Sequence, residues 1–372
     1  MKIYLIAGEA SGDLHGSNLI RAISSAADSK AVFRGWGGDL MENAGCHIVK
    51  HFRDLAFMGF LEVVKNLRTI LHNFDDCKKD ILEWQPEILI LIDYPGFNLR
   101  IARWAHEKKI KVVYYITPQV WAWHKSRVHK LGKYTRKLLV ILPFEKAFFR
   151  QYGYDSTYVG HPLLDAISQF RPDPEFVRNH GPENVYIALL PGSRRQEIKA
   201  MLPVMLRAVT ERKDLKVLIA GAPSADPSLY KEIMQEENCS ENTELIFNFT
   251  YDILSVANYA LVSSGTATLE TALFNVPQVV CYKGNMFSYQ IAKRLVDIKF
   301  ISLVNLVADR LVVQELIQDD LTADNLKIAL SRLETNGPKV KADYHEVREK
   351  LGGPGASSRA AEAILQLLKP GV

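Results

Sequence analysis

The feature that most constrains the fold is the stretch Asn258-Tyr-Ala-Leu-Val-Ser-Ser-Gly-Thr-Ala-Thr-Leu-Glu-Thr-Ala-Leu-Phe274. Residues 259–262 form an apolar run typical of a buried strand, and apolar side chains recur at helical spacing over residues 266–274. Ser263-Ser-Gly265 separates the two runs. The pattern therefore predicts a strand that passes through a small-residue turn into a helix, with the turn at the carboxyl end of the strand.

A turn of this kind has the properties of an anion site. The first amides of a helix lack internal partners and the helix dipole is positive there, so a phosphate is stabilised. Gly265 leaves room for the anion, and Ser264, Thr266 and Thr268 offer hydroxyls. Glu270, one turn further on, can accept two hydrogen bonds from a ribose diol. These residues indicate a nucleotide site, and an ordinary capped turn with a solvated glutamate is the open alternative.

The composition indicates a globular protein. A chain of 372 residues, 48% hydrophobic and 24% charged, is long enough for two domains. No apolar run approaches the roughly 20 residues that span a bilayer, so we expect a cytoplasmic location. The net charge of +4 is too weak to indicate nucleic acid. The four cysteines include no Cys-x-x-Cys pair, which predicts neither a disulfide framework nor a zinc site.

The alternation of strand, small-residue turn and helix recurs along the chain. Lys2 to Ala7 is the first predicted strand, and the glycine-rich turn after it lacks the G-x-G-x-x-G dinucleotide fingerprint. A polar, proline-bearing segment separates two such series. We therefore predict an α/β protein of two Rossmann-like domains, each with a parallel sheet, facing each other across a cleft. We place them at residues 1–168 and 169–343, with a closing helix at 344–372 that joins the first domain.

Asp93 ends a buried strand that covers Glu87 to Ile92. Ligands of open α/β sheets bind at the carboxyl ends of the strands, which makes Asp93 a candidate general base. Capping of the helix that begins near Phe97 is the alternative role. His15 and His161 also lie at predicted strand-end turns, and they are rival bases because imidazole titrates nearer neutral pH.

Residues 55–74 are apolar on more than one helical face, including Phe57, Met58, Phe60 and Val64. A fully buried helix explains this pattern, and so does a helix that offers its second face to lipid. Burial is the commoner case, and we favour it on this pattern alone. A basic run at residues 124–137 is typical of a solvated face, with contact to lipid phosphates as the alternative.

Several motifs occur together and in order along the chain: Gly8-Glu-Ala-Ser-Gly-Asp13, Asp93-Tyr-Pro-Gly-Phe-Asn98, Pro118-Gln-Val-Trp-Ala-Trp123, Val159-Gly-His-Pro-Leu163, Leu190-Pro-Gly-Ser-Arg194 and Ser264-Gly-Thr-Ala-Thr-Leu-Glu270. The set resembles the lipid-A-disaccharide synthase family, from the first strand to beyond residue 300. The resemblance implies a GT-B glycosyltransferase of the inverting type. It would join UDP-2,3-diacylglucosamine to 2,3-diacylglucosamine 1-phosphate (lipid X) and release UDP, at the cytoplasmic face of the inner membrane.

The resemblance also implies roles for single residues. Asp93 would be the base, and Ser11 and Gly12 would contact the acceptor. The membrane side would use Phe57, Met58, Phe60 and Val64, the best lipid-contact candidates in the chain. Donor contacts would come from Gly192, Ser193, Arg194, Ser264, Gly265, Thr266, Ala267, Thr268, Glu270 and Asn305. Val304 stands before Asn305, where the family often has proline.

Neither a cofactor nor a metal is expected. The chain contains no Asp-x-Asp pair, in agreement with a transferase in which arginine and helix dipoles stabilise the leaving diphosphate. Two other interpretations of the same fold stay open. One is another GT-B enzyme, such as a UDP-N-acetylglucosamine 2-epimerase or a lipid-linked aminosugar transferase. The other is a nucleotide-sugar-binding protein without chemistry.

Overall fold

The computed structural model describes residues 1–27, 30–55, 67–121, 126–223, 225–284 and 299–369. The chain divides into two compact units. The first unit comprises Met1–Asp165 and Gly353–Val372, and the second comprises Ala166–Gly352.

The first unit is built on a parallel sheet of seven strands in the order β3-β2-β1-β4-β5-β6-β7. The strands are β1 (Lys2–Ala7), β2 (Val32–Gly37), β3 (Cys46–His51), β4 (Ile88–Ile92), β5 (Val112–Tyr115), β6 (Lys137–Val140) and β7 (Thr157–Tyr158). The described helices up to its boundary are α1 (Ala10–Ala26), α2 (Asp39–Asn43), α3 (Leu67–Trp84), α4 (Pro95–Glu107), α5 (Arg127–Tyr134), α6 (Glu145–Gln151) and α7 (Pro162–Gln169).

The second unit carries a parallel sheet of six strands in the order β10-β9-β8-β11-β12-β13. These are β8 (Val185–Leu190), β9 (Leu215–Gly221), β10 (Thr243–Phe247), β11 (Tyr259–Ser263), β12 (Gln278–Tyr282) and β13 (Gln314–Ile317). Its described helices are α8 (Pro174–Asn179), α9 (Arg195–Val209), α10 (Pro227–Glu236), α11 (Thr250–Val256), α12 (Thr266–Leu273), α13 (Leu303–Ala308) and α14 (Ala323–Leu351).

Both faces of the first sheet are buried, which explains the continuous apolar run of β4. Ile88 and Ile90 belong to the hydrophobic core on one face, and Leu89 and Leu91 belong to the core on the other. A strand covered on both faces by helices reads as an unbroken hydrophobic segment rather than an alternating one. The predicted α/β class, with one parallel sheet in each of two domains, is confirmed.

The last helix, α15 (Ala356–Leu368), belongs to the first unit. Its buried Ala360, Ala361 and Ile364 join the core on the α1 side of the sheet. The carboxylate of Asp165 accepts hydrogen bonds from the first amides of this helix, including that of Ser357 at 3.1 Å. A buried acceptor at a helix amino end satisfies amides that have no partner inside the helix.

The start of this returning segment differs from the predicted residue 344. Helix α14 continues to Leu351 and stays in the second unit as far as Gly352. It runs without a break through Gly337 and Pro338, which are poor helix residues in an interior position. Within the described ranges, no helix combines the length and the apolar run that crossing a bilayer requires.

Candidate functional site

A cavity of about 420 Å³ opens at the carboxyl edge of the second sheet. It lies where the strand order reverses, because β8 has β9 on one side and β11 on the other. Such a reversal leaves a crevice between helices that leave the sheet in opposite directions, and ligands of open α/β sheets bind there. The volume is typical of a small-molecule site.

Most of the residues predicted to bind a donor meet in this cavity. It is lined by Gly192, Ser193, Arg194, Ser264, Gly265, Thr266, Ala267 and Glu270 from that prediction, and also by Leu190, Glu197, Ala220, Gly221, Ala222, Pro223, Thr250 and Ser263. The two sets come from the ends of β8, β9 and β11 and from the helices that follow them. The structure thus brings together residues from two distant motifs, around 192 and around 265.

The turn after β11 presents free backbone donors to the cavity. Within the described residues, the amides of Gly265, Thr266 and Ala267 have no hydrogen-bond acceptor. Gly265 has φ +155, a conformation that favours glycine, and a Cβ at this position would meet no atom within 4 Å. The amino end of α12 therefore offers several N–H groups and open space, which is the arrangement that binds a phosphate.

Glu270 lies at the side of the same cavity. The Tyr251 hydroxyl donates to Glu270 Oε1 at 2.9 Å, and the other carboxylate oxygen has no protein donor among the described residues. Burial raises the pKa of Glu270 above its ordinary value, and the Tyr251 hydrogen bond opposes that shift. A carboxylate held by one donor, with one oxygen left over, is suited to accept hydrogen bonds from a diol.

In the turn after β8, a side chain from the helix that follows accepts the backbone amides. Glu197 Oε2 accepts the amides of Ser193 at 3.1 Å and Arg194 at 3.3 Å. Gly192 has φ +110, and a Cβ there would lie 2.6 Å from the same Glu197 oxygen. Because Glu197 already occupies these amides, only the side chains of Ser193 and Arg194 remain for a ligand at this turn. The exposed Arg194 guanidinium is the cation at the rim, 3.3 Å from Glu197 Oε1.

Two predicted donor hydroxyls have internal partners. Thr268 is completely buried and donates to the Gly265 carbonyl at 2.8 Å, so it fixes the turn from below and does not line the cavity. Ser264 lines the cavity, and its hydroxyl donates to the Ile301 carbonyl at 3.1 Å. Thr266 is exposed at the first position of α12.

Asn305, a predicted donor contact, does not line this cavity. It is fully buried, and its side-chain oxygen accepts the amides of Val312 and Val313. Its side-chain nitrogen donates to the Val313 carbonyl and to Glu315, each at 2.8 Å. The whole amide group is therefore used inside the protein, and none of it is left for a ligand.

Asn305 nevertheless acts on the cavity through its neighbours. Glu315, which Asn305 contacts, also accepts the amides of Ile301 and Ser302 at 3.0 and 2.9 Å. The carbonyl of Ile301 in turn accepts the hydroxyl of Ser264. This chain of hydrogen bonds makes Asn305 a residue that positions the turn.

Asp93 lies at the carboxyl end of β4 in the first unit, where the backbone takes an uncommon conformation. Asp93 and Tyr94 have φ values of +45 and +49, which non-glycine residues seldom adopt. The carbonyl of Asp93 accepts the Tyr114 hydroxyl at 2.6 Å and the Asn98 side-chain nitrogen at 2.8 Å. These two donors hold the strained turn, and conformations of this kind cluster at functional sites.

The surroundings of Asp93 make it a stronger base than an ordinary aspartate. Burial, and after it the negative charge of Glu9, raise the pKa of Asp93 to about 6 against an opposing backbone hydrogen bond from Tyr94. Perturbed carboxylates of this kind are candidates for general bases.

The pKa values of the two rival histidines are shifted in the opposite direction, downward. Burial lowers the pKa of His15 to about 4 and that of His161 to about 3. The Nδ1 atom of His161 also accepts the amide of Leu163 at 3.3 Å. Both imidazoles are therefore weaker bases than Asp93.

The remaining predicted residues fall into two groups. Ser11 is exposed in the first turn of α1, whereas Gly12 is buried, where a Cβ would lie 3.1 Å from the Ala7 side chain. Gly12 thus permits close packing of α1 on β1. The predicted membrane contacts lie outside the described residues: Phe57, Met58, Phe60 and Val64.

Three supporting residues were not identified from the sequence. Tyr251 and Tyr114 stand in unremarkable segments, and only the fold brings their hydroxyls to Glu270 and Asp93. The role of Glu197 could have been predicted from the sequence, because a glutamate three residues after the position that begins a helix is typical of a capping box. In the part of the chain that the structure describes, no three His, Cys, Asp or Glu side chains gather where they could hold a metal ion.

Comparison with known proteins gives a consistent result along the whole chain. The family model described as "Lipid-A-disaccharide synthetase" matches residues 3–367. A "Lipid-A-disaccharide synthase" of Syntrophus aciditrophicus (strain SB) is 39% identical over 99% of this chain and 98% of its own length. One with the same name from Myxococcus xanthus (strain DK1622) is 33% identical over 100% of this chain and 98% of its own length.

Solved structures with low sequence identity share the fold. A structure titled "S. aureus MnaA-UDP co-structure" has a TM-score of 0.71 at 13% identity and covers 99% of this chain and 96% of its own. The calicheamicin glycosyltransferase CalG4 has a TM-score of 0.59 at 16% identity, with 99% of both chains covered. At these identities the likeness shows the fold alone, which is that of GT-B glycosyltransferases and related epimerases.

The position of Asn305 generates a prediction about stability. Asn305→Ala leaves buried amides and carbonyls without partners, and each such group costs about 1–3 kcal/mol of the free energy of unfolding. We expect a lower melting temperature, with only a small loss of UDP affinity from a loosened turn at temperatures where the variant is folded. Thermal denaturation and calorimetry measure the two effects. Asn336→Ala, at an exposed position of α14, is the matched control. A variant of normal stability that binds UDP poorly would restore Asn305 as a ligand contact.

Proposed function

Because the chain belongs to the lipid-A-disaccharide synthase family, we propose that it transfers 2,3-diacylglucosamine from UDP to lipid X, giving the lipid A disaccharide 1-phosphate and UDP. The observation that carries the donor half of this proposal is the cavity shared by the α12 turn and Glu270. It combines amides that suit a phosphate with a carboxylate that has a free oxygen. These two groups match the diphosphate and the ribose of a nucleoside diphosphate. Membership of the family supports the identity of the acceptor and of the product.

The donor is held by the second unit. The free amides of Gly265, Thr266 and Ala267 bind the diphosphate, with the Arg194 guanidinium at its outer side. Glu270 accepts the ribose hydroxyls, and Tyr251 fixes its orientation. As UDP departs, negative charge grows on the diphosphate. Amides that already point at that position stabilise it without further rearrangement.

The acceptor reacts at the first unit, with Asp93 as the base. The acceptor 6'-hydroxyl attacks the anomeric carbon on the face opposite UDP, so a new C–O bond forms as the bond to UDP breaks and its electron pair leaves with UDP. The hydroxyl proton passes to the Asp93 carboxylate. Asp93 suits this step because its pKa near 6 leaves it ionised yet basic at neutral pH.

The alternative interpretations differ in what they need for turnover. The epimerases that share the fold are similar at 12–14% identity, too little to carry function over to this chain. An epimerase interconverts the donor with no acceptor, and a nucleotide-sugar-binding protein leaves the donor intact. Release of UDP that depends on an added acylated sugar phosphate supports the transferase. UDP-sugar interconversion without that acceptor would contradict it.

We also propose that the protein works at the cytoplasmic face of the inner membrane, because both substrates carry acyl chains. The apolar side chains Phe57, Met58, Phe60 and Val64 are the best lipid-contact candidates in the sequence. An apolar segment with flanking basic residues is typical of peripheral membrane association.

The donor assignment predicts the effect of removing Glu270. Glu270→Ala loses one or two hydrogen bonds to a charged group, about 1.5–3 kcal/mol each, so UDP should bind more weakly by at least tenfold. Calorimetry with UDP measures the loss. Glu236→Ala, an exposed glutamate of the same unit, should bind UDP normally. Unchanged UDP affinity in a folded Glu270→Ala protein would remove the nucleotide from this cavity.

The base assignment predicts a loss of rate without a loss of donor binding. Asp93→Asn keeps the shape and removes the base, so kcat should fall roughly 10²–10⁴-fold while UDP affinity stays nearly the same. Asp155→Asn, an exposed aspartate of the first unit, is the control. A near-normal kcat for Asp93→Asn, with His15→Ala or His161→Ala inactive but still binding UDP, would assign the base to that histidine.

The same assignment fixes the sign of the pH dependence. The raised pKa means that Asp93 still holds its proton at a pH where an ordinary aspartate has lost it. In wild type kcat/KM should therefore rise with pH through about 6 and then level off. This inflection should be absent from the residual activity of Asp93→Asn.

The membrane assignment predicts a separation of lipid binding from stability. Met58→Ser together with Phe60→Ser should reduce binding to anionic vesicles in sedimentation assays and leave the melting temperature close to wild type. The control pair Leu311→Ser and Ile328→Ser removes side chains that are 63% and 50% exposed in the second unit. A large fall in melting temperature, with vesicle binding lost only in step with unfolding, would show that Met58 and Phe60 belong to the core.

A further inference from the structure

The first unit contains a second cavity, of about 430 Å³, between α4 and α5. Its apolar lining includes Leu99 and Tyr134. Its charged lining is cationic throughout: Arg100, Arg103, Arg127 and Lys130. A concave site with this many convergent cations is suited to a small anion with several oxygens.

Most of this positive charge has no partner among the residues that the structure describes. Arg103 forms an exposed ion pair with Glu107 at 3.0 Å. Arg100, Arg127 and Lys130 make no ion pair with any residue in the described ranges. The Arg100 guanidinium lies over the Phe74 ring at 5.3 Å, which limits its orientation. Like charges that converge without a counter-charge repel each other, and an anion placed among them relieves that repulsion.

The cavity borders the turn that carries Asp93. Pro95 and Gly96, which follow Asp93 and Tyr94 in the chain, form part of its wall. The buried Tyr114 hydroxyl, which donates to the Asp93 carbonyl, is influenced by the charges of both Asp93 and Arg127. The cavity therefore reaches the turn that carries the base.

We propose that this cavity binds the phosphate of the acceptor sugar through Arg100, Arg127 and Lys130. The proposal rests on the proposed function, in which the acceptor carries a phosphomonoester at C1 and attacks through the hydroxyl at C6. C1 and C5, the atom that carries C6, both flank the ring oxygen, so a phosphate held near the turn of the base leaves the C6 hydroxyl within reach of that base. Planar guanidinium groups bind phosphate oxygens in pairs and orient the ring.

The test compares two acceptors on the full-length enzyme in mixed micelles: lipid X and its dephosphorylated analogue, 2,3-diacylglucosamine. In wild type, kcat/KM should favour lipid X. In Arg100→Gln/Arg127→Gln, KM for lipid X should rise at least about tenfold, because two charge-assisted contacts are lost. The preference for lipid X over the analogue should then largely disappear. Lys130→Gln, a single exposed change, should reduce the preference in the same direction.

The control is Lys133→Gln, which removes an exposed cation of the same helix outside the cavity and should keep the wild-type preference. A folded double variant that still prefers lipid X would overturn the proposal. Equal losses for both acceptors, or losses that follow the content of anionic lipid in vesicles, would overturn it in favour of a membrane surface. A wild-type enzyme that releases no UDP with either acceptor would remove the proposed function and this inference with it.

Discussion

The pairing of parallel strands is the constraint on which both units depend. When strands run in one direction, every strand-to-helix turn of a unit falls at the same edge of its sheet. In the second unit this brings the turn after β8 to the turn after β11, although some 70 residues separate them in the chain. In the first unit it brings the start of α1 beside Asp93, since Ala7 pairs with Ile92. The chemistry at each edge then depends on which backbone groups the turns leave free.

Carboxylates near the turns control how many backbone groups are left free. Each accepts two or more amides from a turn or a helix end: Asp13, Glu145, Asp165, Glu197 and Glu315. An ionised acceptor makes stronger hydrogen bonds than a neutral one, so these turns are held firmly. The α12 turn differs from these, because hydroxyls and carbonyls support it and no carboxylate of the described residues accepts its amides. It therefore remains open to an anion.

The sequence was sufficient for the fold and for most of the lining of the cavity in the second unit. Continuous apolar runs marked the central strands, and the small-residue turn at 263–265 marked the open amides. Edge strands such as β3 and β13 were not identified, because they are partly exposed and lack such a run. Asn305 and Thr268 show why the role of a single polar residue could not be predicted. Hydroxyls and amides are chemically suited both to a ligand and to a buried backbone group, and only the three-dimensional position decides between the two.

The two units offer an anion two different kinds of site, and the difference fits what each ligand must do. In the second unit, the proposed diphosphate site consists of fixed amides with Glu197 and Glu270 nearby, so a ligand with negative charge along its whole length is disfavoured. A ligand with an anionic end and a diol end matches both groups. In the first unit, charge comes from cationic side chains around a cavity, a site that would attract a phosphate from a distance. Rigid donors belong where charge develops during the reaction, since they stabilise the transition state without reorganising. Side-chain cations suffice where a charge is only carried and oriented, and the acceptor phosphate of the proposed reaction is such a charge because no bond to it changes.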